Sequence, residues 1–143
     1  MIYLIDNNVL SELWKPAPSP AVIAWWSAIN SKGSEHDWLL PVVVLAEIQE
    51  GAEAAPSPKR RAQIMAALDA FLAAHSEFVL DWDAVTARTW GRLKHSSEVR
   101  KQPQALWDSL IDAMAVARGC TVATRDTKGF RHADTFNPWT FST

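Results

Sequence analysis

Short apolar runs alternate along this chain with stretches in which apolar residues return every third or fourth position. The first run, Ile2-Tyr3-Leu4-Ile5, is continuous in β-branched, aromatic and aliphatic residues, as suits a strand buried on both faces. Val9 to Trp14 then takes up helical spacing. The prolines of Lys15-Pro16-Ala17-Pro18-Ser19-Pro20 break that helix and open the next, because proline fits a first helical turn but not an interior. Ala21 to Ile29 is accordingly a helix carrying Trp25-Trp26, polar Asn30 to Asp37 a loop, and Trp38-Leu39-Leu40-Pro41 a second strand. A helix from about Val43 to Gly51 follows. Beyond Pro56-Ser57-Pro58, a helix over Lys59 to Ala74 places Ile64, Leu68, Phe71 and Leu72 on one face. Phe78-Val79-Leu80 predicts a third strand, Asp83 to Lys94 a helix, and polar His95 to Gln104 a loop. Pro103 and Gly119 bracket the best-defined helix, Ala105 to Arg118, and Cys120 to Thr124 is a buried strand.

Strands alternating with helices predict βαβ units, hence an α/β fold with a mainly parallel sheet and helices on both faces. At 143 residues and 48% hydrophobic, the chain suits one domain spanning 1–143. A net charge of −2 advertises no global field for nucleic acid, so any such binding must rest on local patches or a bridging cation. The single cysteine, Cys120, excludes an internal disulfide framework. With no export signal and no apolar run long enough to span a membrane, a cytoplasmic protein is expected.

Two of the apolar strands end in an acid. Asp6 follows the first and Asp126 the last, and parallel strands that neighbour each other point their carboxyl ends the same way, where open α/β sheets place their chemistry. Asp108 near the start of one helix and Glu47 within another face the same edge. Each acid has an ordinary alternative: Asp6 as a helix cap, Asp108 as a partner of the helix dipole, Asp126 as a turn former. Together they would repel one another unless a cation neutralised them. Hard oxygen ligands suit Mg²⁺ or Mn²⁺, and such an ion supports hydrolysis of a phosphodiester.

The segments Leu4-Ile5-Asp6-Asn7-Asn8-Val9-Leu10-Ser11-Glu12, Val44-Leu45-Ala46-Glu47-Ile48-Gln49-Glu50-Gly51, Trp107-Asp108-Ser109-Leu110-Ile111-Asp112-Ala113-Met114-Ala115 and Val122-Ala123-Thr124-Arg125-Asp126 resemble, in order, the motifs of PIN-domain ribonucleases. Asn137-Pro138-Trp139 and Lys59-Arg60-Arg61 resemble the FitB/VapC branch, the toxin halves of bacterial toxin–antitoxin pairs. The resemblance implies a three-layer α/β/α sandwich and a Mg²⁺ or Mn²⁺ site built from Asp6, Glu47, Asp108 and Asp126, which would cut RNA. It implies supporting roles for Asn8 and Thr124, a homodimer, and inhibition by a small antitoxin.

Some positions depart from that pattern. Asn7 stands for the usual threonine, Asp126 for a frequent asparagine, and Gly129-Phe130 for Asp-Phe, while polar Ser97 to Gln104 replaces a glycine-containing approach to the third acid. Asp112, one turn after Asp108, lies on the same helical face where the family usually has a small residue; it suits either an acid supporting the site or a second metal, or a solvent-facing or pairing role, and stands outside the core site. Arg125, Lys128 and Arg131 flank the acids and supply a local basic rim for phosphates, with Arg125 and Lys128 the expected substrate contacts. Lys59-Arg60-Arg61 reads most simply as a solvated face. Trp14, Trp25, Trp26, Trp82 and Trp90 fit core or dimer contacts better than a base-stacking surface, and the four histidines lack zinc-type spacing. Two rival readings are a phosphoaspartyl hydrolase, which wants a second acid where Asn8 stands, and a PIN-like module that only binds or signals.

Overall fold

A computed structural model describes residues 1–143. Five strands form one sheet: β1 (Ile2–Ile5), β2 (Asp37–Pro41), β3 (Val79–Leu80), β4 (Thr121–Ala123) and β5 (Thr135–Phe136). Their order is β3-β2-β1-β4-β5 and every neighbouring pair is parallel. Seven helices cover the faces of the sheet: α1 (Asn7–Leu13), α2 (Pro20–Ile29), α3 (Val42–Glu53), α4 (Pro58–His75), α5 (Ala84–Leu93), α6 (Ser97–Lys101) and α7 (Leu106–Arg118). The expected α/β/α sandwich is what the chain forms.

From β1 the chain winds outward to β2 and β3, then returns across the sheet to lay β4 on the other side of β1. The strand order therefore reverses between β1 and β4, and a crevice opens there beyond the carboxyl ends. The register Ile5 with Ala123 sets the residues that follow them, Asp6 and Thr124, side by side.

The core forms around β1, whose Leu4 and Ile5 are fully buried, with Val9, Leu10, Leu40, Ile111, Met114 and Val122 packed about them. Tryptophans fill much of the rest. Trp25 lies edge-on to Tyr3, and Trp38 stacks on Phe78 at 4.4 Å between ring centres. Trp25, Trp26 and Trp82 belong to or pack on this core, as expected of them, and the indole N–H of Trp90 donates to Ser109 Oγ at 3.1 Å. Trp14 also packs on the core but keeps one side open.

Helix α7 ends where its sequence says it should. Gly119 takes a left-handed φ of 65° and its N–H closes on the carbonyls of the last turn, a conformation that costs a residue with a Cβ. Two elements depart from expectation. The polar stretch read as a loop contains α6, started by Ser96, whose Oγ accepts the N–H of Val99. Strand β5 was not foreseen, because two residues are too few to show alternation; it forms through Val122 N–H to Asp134 O at 2.8 Å and Thr124 N–H to Phe136 O at 2.9 Å. No helix is long and apolar enough to cross a membrane.

Candidate active site

Asp6 stands at the end of β1 and is only 5% exposed. Its Oδ1 accepts the N–H of Asn7 at 2.8 Å, so the residue does cap α1. Its Oδ2 accepts the Thr124 hydroxyl at 2.7 Å and, more weakly, Asn8 Nδ2 at 3.4 Å. Capping and chemistry do not compete here, since a carboxylate oxygen has a second lone pair and that of Oδ1 is left over. Asn8 and Thr124, the residues expected to support the site, both bond to Asp6. Asn8 Nδ2 also reaches Thr124 Oγ1 at 3.2 Å, Asn8 Oδ1 accepts the N–H of Arg125 at 3.1 Å, and Thr124 Oγ1 accepts the N–H of Asp126 at 3.1 Å. One hydroxyl and one amide thus lock the end of β1 to the turn after β4. The departure at Asn7 leaves this shell intact, because Asp6 is bound through the Asn7 backbone while the Asn7 side chain accepts from Ser11 Oγ at 2.9 Å.

Glu47 projects from the middle of α3 and Asp108 from the first turn of α7. The Oε1 atom of Glu47 is buried with no hydrogen-bond partner. Burial, together with the fields of Asp6 and Asp108, pushes the Glu47 carboxyl up to about 7, with Asn7 pulling the other way. Asp108 is raised to about 6 by burial and by Asp6 and Asp126, against a smaller downward pull from Arg131. Desolvation likewise raises Asp6, opposed by its bonds from Thr124 and Asn7, and Asp126 adds to the rise. Every one of the four acids is therefore within electrostatic reach of at least one other.

The segment after β4 passes close over this cluster. A Cβ added to Gly129 would collide with Asp108 Oδ2 and lie 3.2 Å from Asp126 Oδ2, so both carboxylates sit close against this glycine. An aspartate at 129 would both collide with Asp108 and add charge, so the departure from Asp-Phe to Gly129-Phe130 is what lets the strap lie where it does.

Asp112 holds that strap down. It is 1% exposed, which excludes the solvent-facing role, and its oxygens serve pairing. Its Oδ1 accepts the N–H of Ala133 at 2.8 Å and of His132 at 3.4 Å, and its Oδ2 meets His132 Nδ1 at 2.8 Å. Gln104 Nε2 donates to Asp112 Oδ2 at 3.2 Å and to the carbonyl of Gly129 at 2.8 Å, while His132 Nε2 pairs with Ser96 Oγ at 2.8 Å. Gln104, His132 and Ser96 went unnoticed in the sequence because a polar network leaves no period; the one signal was a charged residue inside the otherwise small and apolar run Ile111 to Ala115.

Of the expected basic rim, Arg125 lies over the Trp139 ring at 5.0 Å from its centre and near Glu12, whose carboxylate it helps to lower after the larger effects of Lys15 and Ser19. Arg131 donates to the carbonyls of Lys128 and, at 3.3 Å, Gln102. Lys128 is exposed and makes no ion pair.

A hard cation fits this donor set. The acids include a buried oxygen without a partner and a carboxylate oxygen with a lone pair to spare, and they raise one another's proton affinity as uncompensated like charges do. No three of them draw together as a closed cage, which agrees with Mg²⁺ keeping several waters and taking one or two carboxylates.

Residues 3–135 match the family described as PIN domain. The chain belongs to the PIN-domain family. It is 37% identical over 139 residues to the "VapC ribonuclease Y4jK" of Sinorhizobium fredii, covering 95% of this chain and 96% of that one. It is 30% identical to "Toxin FitB" of Neisseria gonorrhoeae, over 95% of this chain and 97% of the relative. Among solved structures, FitAcB from Neisseria gonorrhoeae superposes with a TM-score of 0.79 at 28% identity, over 99% of this chain and all of the other.

Two outcomes follow for this PIN-domain site. Because Glu47 and Asp108 bind protons more tightly folded than unfolded, their contribution to stability is complete below about pH 4 and is lost as pH rises through about 6 and about 7. The melting temperature of metal-free protein should therefore fall more steeply from about pH 5 to about pH 8 than that of Glu47→Gln, and parallel curves in differential scanning calorimetry would show that Glu47 carries no such burden. Gly129→Ala should push Asp108 aside and weaken Mn²⁺ binding, read by titration calorimetry, by about tenfold. Unchanged affinity would separate the strap from the acids.

Proposed function

We propose that this PIN-domain protein is a Mg²⁺- or Mn²⁺-dependent endoribonuclease and the toxin half of a toxin–antitoxin pair. The observation that carries the reading is the buried, unpartnered Oε1 of Glu47, whose carboxyl lies within the fields of Asp6 and Asp108: a cation would relieve the repulsion among these acids. Asp6, Glu47, Asp108 and Asp126 would hold the ion, one or two of them directly and the others through its waters. When bound, it would supply charge for a phosphodiester oxygen and a more acidic water.

The chain's own residues do the positioning. Thr124 and Asn8 fix the rotamer of Asp6, so its free lone pair points to one place. Gly129 keeps the strap thin enough to leave Asp108 and Asp126 in place. Lys128, free of any acid partner, is better placed to meet phosphate than Arg125, whose guanidinium already lies on Trp139. The basic residues and the cation would together draw RNA to a chain whose net charge is −2.

Similarity to proteins named toxin FitB and VapC ribonuclease along nearly the whole chain supports an antitoxin as the protein partner, and a homodimer is the assembly that the family resemblance implies. The phosphoaspartyl alternative loses ground on geometry. Asn8, where the second acid would stand, carries no carboxylate and is used to clamp Thr124 and Arg125.

Purified protein with Mg²⁺ should cleave single-stranded RNA, and Asp6→Asn, Glu47→Gln and Asp108→Asn should each slow cleavage by about a hundredfold or more. Intact cleavage in these variants would place the chemistry elsewhere, and release of phosphate from small esters without RNA cleavage would favour the hydrolase.

A further inference from the structure

Glu47 does not face bulk water directly. It opens into a cleft of about 460 Å³ between α1, α3 and α4, within the range of small-ligand sites and large enough for one nucleotide. Asn7, Ser11 and Trp14 line one wall from successive turns of α1, while Arg60, Gln63 and Ile64 line the other from α4. Gly51, one turn beyond Glu47 on α3, leaves the floor open: a Cβ there would meet nothing within 4 Å.

The charges in this cleft are of one sign apart from Glu47. Lys15 sits at its edge, tied at 2.8 Å to Glu12, whose nearly buried carboxylate also accepts the N–H of Ser19 at 2.8 Å. Arg60 has no acid within ion-pair distance and meets only Gln63 Oε1 at 3.5 Å, whereas its neighbour Arg61 is occupied by Glu53 at 2.9 Å. In the basic run that reads as a solvated face, Arg60 thus lines a cleft continuous with the acids and keeps its charge uncompensated. The Trp14 ring is backed edge-on by Phe71, so it is held firm with its other side toward the opening.

We infer that this cleft is a nucleotide subsite for single-stranded RNA: Arg60 takes the phosphate next to the one being cut, and Trp14 takes its base. The inference rests on the nuclease reading and adds a direction to it, with the strand crossing the acids from the cleft to Lys128. A stacked base needs an aromatic face and its flanking phosphate a cation, and both are here one wall apart.

The test uses the full chain carrying Asp108→Asn, so that RNA is bound and not consumed, and a fluorescein-labelled single-stranded RNA heptamer read by anisotropy over a salt series. Adding Arg60→Gln should weaken binding about five- to tenfold and reduce the steepness of the salt dependence by about 0.7. Arg88→Gln, which removes the same charge from α5 outside the cleft, should leave both unchanged. Equal losses in the two variants, or none in Arg60→Gln, would overturn the subsite. So would an Arg60→Gln that binds RNA normally but loses affinity for the antitoxin, since the cleft would then be a protein-docking site. RNA cleavage by the otherwise unaltered chain, measured alongside, separates failure of the subsite from failure of the nuclease reading.

Discussion

A hydroxyl joins the two halves of this protein. Thr124 donates to Asp6 across 118 positions of sequence, and because Asp6 ends β1 while Thr124 follows β4, that bond closes the crevice where the sheet changes direction. Asn8 makes it a three-membered clamp and extends it through Arg125 N–H to the turn that carries Asp126. A buried carboxylate oxygen without donors is costly; here donors are supplied to both oxygens of Asp6, whereas Glu47 is served by Asn7 alone and its Oε1 has no partner. The contrast between one satisfied acid and one with an orphaned oxygen gives the site its chemical direction. Asp6 is a fixed reference and Glu47 an unmet demand.

Around this clamp the remaining acids are set by scaffolding that does not touch them directly. The Asp112 network ties α7 to the returning strap and to the residues around α6, so that Gly129 lies close against Asp108 and Asp126. Buried polar networks of this sort are effective only when every member is partnered, and Asp112 has donors from Ala133, His132 and Gln104. Three features unusual against the family pattern, the polar 97–104 stretch, Asp112 and Gly129, prove to be parts of one arrangement.

The layout of the fold was legible because its strands are short, apolar and closed by acids or turn residues, and because Pro103 and Gly119 bracket α7. Asp6, Glu47, Asp108 and Asp126 were legible as a group once parallel strands implied a shared edge, and the structure does bring them within each other's fields. What sequence could not supply was contact between residues far apart with no common period. Ser96, Gln104 and His132 lie in a stretch and a strap that read as loops, and the first helix of that stretch is too short to show a face. Trp14 is spaced like a core residue and is one on its Phe71 side, so its open side could be known only from the cleft. Arg60 and Arg61 look alike in sequence, and only the position of Glu53 tells them apart.

The central claim is that the Glu47 carboxyl, pushed up to about 7 by burial and its acid neighbours, carries a proton near neutral pH that the proposed divalent cation would displace. Titration calorimetry of Mn²⁺ into the intact chain near pH 6.5, repeated in buffers of different ionisation enthalpy, measures the protons released on binding. About one proton should leave per ion at that pH, and Glu47→Gln should abolish most of the release. Tight Mn²⁺ binding with no proton release, unaltered by Glu47→Gln, would contradict the account.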